Sequence, residues 1–386
     1  MERVVVYDSF DSLPASCQTL FQRSCAQAGV FLSLPWFRTL AAGAFKESLV
    51  RIYALQSDAN QSVHALLPMR VLILAGRFFS VRQLTAAANF YTPLFGPLVA
   101  GSVPVPSSLR RLAREMAADP GCWDTVAIYP MDRDSTVYAA MQSAFRRAGM
   151  AVQSYRCFAN WYLKVDGRSY DEYAASLPPQ LRNTLKRKAK QLPADRFYME
   201  IITDGNDLER GIRAYHAVYQ ASWKQPEAFP QFMPGLIRTC ASEGWLRLGV
   251  AYIDGQPAAA QVWIVAGGVA SIYKLAYDQD FAKYSVGTLL TAHLMRHVID
   301  LDRVREVDFL SGDDAYKSDW MSHRRERWGL MAFNLRSFKG IILAVVHLAG
   351  RPSKNFLLRP LKWGRAVGNR IFSGKFFSGK RDSLQA

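Results

Sequence analysis

Between Trp245 and Tyr277 the chain carries three apolar runs, WLRLGVAYI, QPAAAQVWIV and VASIYKLAY, separated by Asp254-Gly255 and Ala266-Gly267-Gly268. Asp-Gly and Gly-Gly accept positive φ, and turns of that backbone join strands into tight hairpins. The three runs are therefore expected to form an antiparallel meander. In the next segment, DQDFAKYSVGTLLTAHLMRHVIDL, the positions Val286, Leu289, Leu290, Leu294 and Val298 mark the buried stripe of a helix. After it VREVDFL reads as another strand, and SGDDAYKSDW as the loop leaving it.

Upstream, the N-terminal half mixes short helices and strands. A helix is expected over residues 13–29, followed by FLSLPWFRTL and the strand-like RIYALQ and VHALLPMRVLIL. Prolines and glycines in NFYTPLFGPLVAGSVPVP stop regular structure. A helix over 107–118, the strand DTVAIYP and a helix over 137–149 complete an α/β alternation. Near Trp161 the pattern restarts. Ser169 with Glu172 makes a capping box, and Pro178-Pro179 opens a second helix with Leu181, Leu185 and Leu192 on one side. Its other faces carry Arg182, Lys186, Arg187, Lys188 and Lys190. Such a basic amphipathic helix is either a docked helix with a solvated charged face or a contact for an anionic ligand or surface.

At 386 residues the chain exceeds a single core, and a prior of about 150 residues per domain suggests two or three units, read here as two. The hydrophobic fraction of 50% suits packed cores rather than disorder. Five scattered cysteines (Cys17, Cys25, Cys122, Cys157, Cys240) without a C-x-x-C pair fit neither a disulfide framework nor a zinc site, and point to a reducing cytoplasm. The start MERVVVYDSFDSLP lacks the pattern of a signal peptide. The longest apolar stretch, IILAVVHLA, falls short of the ~20 residues that span a bilayer.

Two segments are candidates for chemistry. In Lys283-Tyr284-Ser285-Val286-Gly287-Thr288 a small-residue loop opens a helix, a geometry whose free amides hold an anion, with Gly287 allowing close approach. Ser285 serves equally as a simple N-cap. DFLSGDDAYKSDW gathers carboxylates, a tyrosine and a lysine at a strand end: a lysine there stabilises an oxyanion and an aspartate accepts a proton, unless the segment is a surface loop of paired charges. His293 and His297 lack the glutamate of an H-E-x-x-H site, so a structural role and no metal are expected. No G-x-S-x-G, Walker loop or G-x-G-x-x-G occurs.

The strings RSYDEYAASLPPQLRNTLKRKAKQL, YKLAYD, KYSVGTLL and DFLSGDDAYKSDW, in this order, resemble the CelD-like and FemAB-like branch of GNAT acyltransferases (BioF-type acetyltransferase domain), and FLSLPWF and NFYTPLFGPL resemble that family's first domain. The resemblance implies an α/β (α+β) chain of two tandem GNAT-like domains, each a mixed, mostly antiparallel sheet flanked by helices. Their expected extents are 1–155 and 156–336, followed by a basic amphipathic tail, 337–386. It also implies a donor, acyl-CoA, with its pantetheine between splayed strands of the second domain and its pyrophosphate on the following helix start. Carried over by position, Lys283, Ser285, Gly287, Thr288 and Leu289 hold the donor; Val286 stands where the family often has proline. Asp313, Asp314, Tyr316 and Lys317 are the catalytic candidates, with Leu310 where the family commonly has a basic residue. Trp223 and Lys224 of YHAVYQASWKQPE, Tyr273 and Lys274 of YKLAYD, and Trp320 are candidates for substrate binding.

The resulting expectation is acyl transfer from a thioester to an amine or hydroxyl of an envelope sugar, peptide or lipid precursor. Its rivals are a FemAB-like enzyme using aminoacyl-tRNA and a non-catalytic adaptor of envelope or polysaccharide assembly. From Ser337 on, ten basic residues face one acid, so ten minus one, or +9 of the net +16, lies in the tail. With its interspersed Phe, Leu and Trp residues the tail is expected to dock on an anionic membrane surface from the cytoplasm, or to pack on the protein's own body. Flotation with anionic liposomes distinguishes these: docking predicts that the intact protein floats and a chain truncated at Ser337 does not.

Overall fold

Asp254 and Gly255 hold φ of 52° and 74°, and Gly267 and Gly268 hold 56° and 74°, the left-handed backbone of tight turns. The expected meander is present. The computed structural model describes residues 2–45, 48–59, 61–75, 80–119, 121–192 and 195–349; most of the tail expectation, 350–386, lies outside them. The chain divides into two units, one running to Phe158 and resuming at Glu326, the other Ala159–Arg325.

The elements run β1 (Glu2–Tyr7), α1 (Ala15–Ala28), α2 (Leu34–Ala44), β2 (Val50–Ser57), β3 (Val63–Ala75) and β4 (Ser80–Ala86). Then come β5 (Leu98–Val99), α3 (Val105–Ala118), β6 (Thr125–Asp132), α4 (Thr136–Arg147) and β7 (Met150–Lys164), which passes from the first unit into the second. The second unit adds α5 (Tyr170–Ser176), α6 (Pro179–Gln191), β8 (Phe197–Ile202), α7 (Leu208–Ala221), α8 (Phe232–Ser242) and β9 (Leu246–Ile253). It continues with β10 (Gln256–Ala266), β11 (Val269–Tyr277), α9 (Val286–Arg296), β12 (Glu306–Asp308) and α10 (Ala315–Trp320). β13 (His323–Asn334) returns to the first unit, where α11 (Phe338–Ala349) follows.

Each unit repeats one sheet plan. In the first, β1 to β4 pair antiparallel, β6 lies parallel to β4, and β13 is antiparallel to β6. In the second, β8 to β11 pair antiparallel, β12 lies parallel to β11, and β7 is antiparallel to β12. This is the pair of related α/β units that the resemblance implied.

The capping box at Ser169 and Glu172 is formed, and α6 begins at Pro179 as read from the sequence. The segment SGDDAYKSDW differs from its expected loop: Ala315–Trp320 is helical, with Asp314 at its N-cap position. Six residues are too few for a helical period to show in a sequence. Among the described residues, no helix is long and apolar enough to cross a membrane.

The second unit's sheet is covered on both faces, as two adjacent residues of β9 show. A Cβ on Gly211 of α7 would meet Leu248 Cδ2 at 2.8 Å, whereas a Cβ on Gly249 would meet Leu294 Cδ1 of α9 at 2.7 Å. Neighbouring strand residues point to opposite faces, so α7 and α9 lie on opposite sides. Val286, Leu289, Leu290, Leu294 and Met295 anchor α9 in the core with Trp263 and Val307. Gly249→Val is therefore expected to overpack this contact and destabilise the protein by about 1–3 kcal/mol, read as a lower urea midpoint at unchanged slope. Combining it with Leu294→Ala should cost less than the sum of the two single changes.

Candidate functional site

The second unit's sheet opens at one point. β11 and β12 pair only from Val269 to Ser271 against Glu306 to Asp308, while β11 runs on to Tyr277 along β10. Beyond Ser271 the parallel strands part. At the same place the β10 register shifts, Val262 facing Lys274 and Trp263 facing Ile272, which makes Tyr273 the extra residue of a bulge. Bulges re-aim backbone and side chains, and gather beside functional sites.

The first unit has the equivalent parallel pair, Gln83 to Thr85 against Thr125 to Ala127, but its own chain fills the space beyond it. Ala87, Ala88, Tyr91 and Phe95 are buried, and Phe95 N donates to Pro130 O at 2.6 Å. Pro106 in the first turn of α3 also removes an amide from that helix start. The open arrangement belongs to the second unit.

Asp308, at the end of β12, organises the loop after it. Its Oδ1 accepts from Asn160 Nδ2 at 2.5 Å and from Leu310 N at 2.6 Å, and its Oδ2 accepts from Arg325 Nη2 at 2.5 Å. Asn160 also donates to Leu310 O at 2.7 Å and accepts from Arg325 Nε at 2.5 Å. Leu310 thereby holds a left-handed φ of 55°, and Gly312, at φ 114°, donates its N–H to Ala159 O. Burial opposes the charge of Arg325, but Asp308 and Glu306 more than offset it, so its pKa is raised.

The loop delivers Lys317 into the interior, 4% exposed. Its Nζ donates to Ser311 O at 2.6 Å and lies 3.4 Å from Asp314 Oδ2. Burial pushes its pKa down; Asp314, with Asp308 and Asp313, pulls the other way. Of the two candidate aspartates, Asp314 is thus the one at the lysine. Asp313 binds Arg324 Nη2 at 2.8 Å and accepts from Trp161 Nε1 at 2.9 Å. The Tyr316 ring stands edge-on to Phe309, and burial raises its pKa. Trp320 is a core residue whose carbonyl accepts from Tyr173 OH.

The segment after α7 meets β11. Lys274 Nζ and Glu227 Oε1 form a 2.7 Å ion pair, with side chains only 15% and 11% exposed. Trp223 packs on Tyr277, ring centroids 4.5 Å apart. Lys224 Nζ lies 5.7 Å from the Trp223 ring centroid. Burial, then the charge of Lys274, lowers the Lys224 pKa to about 7; Lys317 acts in the same direction, Glu227 and Asp314 against it.

At the α9 start Ser285 takes the left-handed conformation, φ 53°, and its side chain caps nothing. Leu289 N donates to Ser285 O, closing the first turn, and the Leu289 side chain is in the core. The amides of Val286, Gly287 and Thr288 are those that a helix leaves outside its own ladder. Gln261 Nε2 braces the turn from below through Gly287 O at 2.9 Å and Thr291 Oγ1 at 2.8 Å. The Lys283 carbonyl accepts from Lys188 of α6.

Asn160, Gln261, Glu227, Asp308, Arg324 and Arg325 were not singled out in the sequence. Three of them stood in segments read there without being given a role: Asp308 opens DFLSGDDAYKSDW, Gln261 lies in QPAAAQVWIV and Glu227 in WKQPE.

The family model described as Acetyltransferase (GNAT) domain matches residues 179–318, the stretch that holds the open strands, the α9 start and Lys317. No curated protein matches the chain. Among solved structures, FemX superposes with a TM-score of 0.56 at 10% identity, over 79% of this chain and 92% of that one. A conserved protein of unknown function from Bacteroides thetaiotaomicron gives 0.55 at 10% identity, covering 86% and 100%. L-PGS from Bacillus licheniformis gives 0.50 at 12% identity, covering 86% and 96%. At such identities the likeness is one of fold.

The two aspartate networks make different predictions. Asp308→Ala leaves Arg325 and Asn160 without their shared acceptor in a buried setting, and should cost about 3 kcal/mol or more in chemical denaturation. Asp313→Ala breaks an ion pair with 36% and 47% exposed partners, and should cost about 1 kcal/mol or less in the same measurement.

Proposed function

We propose that the second unit is an acyltransferase that moves an acyl group from a thioester, acyl-CoA, to an amine or hydroxyl of a cell-envelope or polysaccharide precursor. The reading rests on one observation: β11 leaves its parallel neighbour at the Tyr273 bulge and leads, through one turn, to a helix start with free amides. An extended donor arm fits along an open strand edge, where backbone groups offer hydrogen bonds. A pyrophosphate fits the amides of Val286, Gly287 and Thr288, because the first turn carries partial positive charge. Lys283 is exposed beside that turn and adds a cation.

In this reading Lys317 stabilises the oxyanion that forms as the nucleophile adds to the thioester carbonyl, and Asp314 orients it. Tyr316 borders the same loop. Trp223, Lys224, Tyr273 and Lys274 form the acceptor side. Holding donor and acceptor at attack distance contributes about 7–11 kcal/mol to lowering such a barrier.

A second donor class is favoured by one feature. Lys186, Arg187 and Lys190 of α6 are exposed, and the same helix reaches the α9 start through Lys188. A cationic face there suits a polyanionic donor, as in the FemAB-like ligases that use aminoacyl-tRNA. Transfer assayed with acyl-CoA and with aminoacyl-tRNA, each across a salt series, separates the two, because RNA binding weakens steeply with salt.

Two substitutions test the site. Lys317→Ala should lower the single-turnover rate by about 10²–10³-fold, the scale of one lost oxyanion donor, with little change in donor affinity. Gly287→Val should weaken donor binding first, measured by calorimetry. A Cβ at Gly287 would meet Tyr277 Cδ1 at 3.3 Å, so the larger side chain must displace that ring or the donor's phosphates. A full single-turnover rate in Lys317→Ala, or wild-type donor affinity in Gly287→Val, would place the site elsewhere.

A further inference from the structure

The α11 helix turns its small residues inward and its large apolar ones outward. Ser337 caps it: the Oγ donates to Asp124 Oδ1 and accepts from Gly340 N at 3.3 Å, and the Ser337 carbonyl accepts from Ile341 N at 2.9 Å. Gly340 lies so close to the end of β13 that a Cβ there would run into Asn334 O and would meet Asp124 O at 2.8 Å. Ala344, one turn on, is buried, and the His347 ring stands 5.3 Å from that of Phe333. This side of the helix is therefore packed on its own unit.

The rest of its surface has a different character. Phe338, Ile341, Val345, Val346 and Leu348 are exposed, Phe338 at 77% and Val345 at 59%. Four of them, Phe338, Ile341, Val345 and Leu348, recur at the three- and four-residue spacing that aligns side chains along one helix face. On a water-facing helix such positions carry polar residues, and exposed apolar patches with a polar rim mark interaction sites. The rim here is basic: Lys339 donates to Ser80 O at 2.7 Å, and Arg336 is exposed just before the helix.

We propose that the outward face of α11 is a docking surface for a bilayer containing anionic lipid, a property independent of the acyl-transfer reading. The charge of the sequence selects this occupant. From Ser337 to Arg381 there are ten cations and no carboxylate. An anionic surface attracts each such cation, and apolar side chains beside them enter the headgroup boundary. A second copy of the chain would instead bring the same positive charge to the contact. It would also cover too little: the twelve residues of α11 extend about 18 Å, short of what the ~1,200–2,000 Å² of a stable interface requires. RNA phosphates would meet the cations but leave Phe338, Ile341 and Val345 in water. Packing on the protein's own body and docking on a membrane, the two expectations for the tail, thus fall on different sides of one helix.

The test uses the full-length protein and vesicles of phosphatidylcholine, with or without phosphatidylglycerol. The protein should sediment with the vesicles that contain phosphatidylglycerol and stay in solution with phosphatidylcholine alone. Phe338→Gln combined with Val345→Gln keeps the charge and should weaken partitioning by about tenfold or more. Both side chains are exposed, so the urea midpoint of this double variant should not move. A phosphatidylglycerol with a photoreactive diazirine on its acyl chain should cross-link within residues 338–348, located by peptide mass spectrometry. Equal binding to both kinds of vesicle or to neither overturns the inference, as does a double variant that partitions like wild type or cross-linking confined to residues beyond 349. A dimer in analytical ultracentrifugation that the double variant loses overturns it too, by assigning the face to a second copy. None of these readouts involves turnover, so a failure of acyl transfer leaves the inference standing.

Discussion

The candidate site depends on one buried carboxylate. Asp308 ends a strand of only three residues and accepts hydrogen bonds from Asn160, Leu310 N and Arg325. A branched side chain at positive φ, as at Leu310, is a strained conformation that persists only where its surroundings over-determine it. Here both backbone polar groups of Leu310 are taken, its N–H by Asp308 and its carbonyl by Asn160. The forced turn carries the chain through Gly312 to Asp314, where α10 begins and points Lys317 inward. Without the carboxylate, the guanidinium of Arg325, the amide of Asn160 and the N–H of Leu310 all lose a common acceptor.

How much could be read from the sequence depends on where the determining forces act. The meander, the capping box at Ser169 and the stripe of α9 are set by residues within a few positions of one another, so their signals were legible. β12 and α10 were misjudged in extent or type because three and six residues carry no usable period. Asp308 lay inside DFLSGDDAYKSDW but was given no role there, and Asn160 and Arg325 escaped altogether, for a different reason. Asn160 meets Asp308 148 positions away and Arg325 165 positions away, so as isolated polar residues they carry no local mark. Gly287 and Lys317 stood out from their own segments, whereas the Lys274–Glu227 pair joins residues 47 positions apart and carries no local mark.

The order of elements from β1 to β7, strand, two helices, three strands, helix, strand, helix, strand, recurs from β8 to β13 apart from the small β5. No repeat is visible in the residues themselves. The two units differ in the segment after the fourth strand of each sheet. After β4 the chain turns across and bonds Phe95 N to Pro130 O, closing the place where the parallel pair ends. After β11 it leaves through the turn at Gln279–Tyr284 and enters α9 without crossing that place. One plan thus yields a filled unit and an open one, and a shared fold does not by itself decide function.

β11 ties the two sides of the open unit together. Tyr273 forms its bulge, Lys274 pairs with Glu227, and Tyr277 lies between the Trp223 ring and the bare Cα of Gly287. A buried ion pair is a weak source of stability, because desolvation consumes most of the Coulombic gain. Its value at Lys274 is one of position. The pair and the Trp223–Tyr277 contact fix the loop after α7 to the strand at two points three residues apart, so Lys224 between Trp223 and Glu227 has little freedom to leave the charges around it. The ion pair and the ring contact together account for the placement of the loop against the open strand.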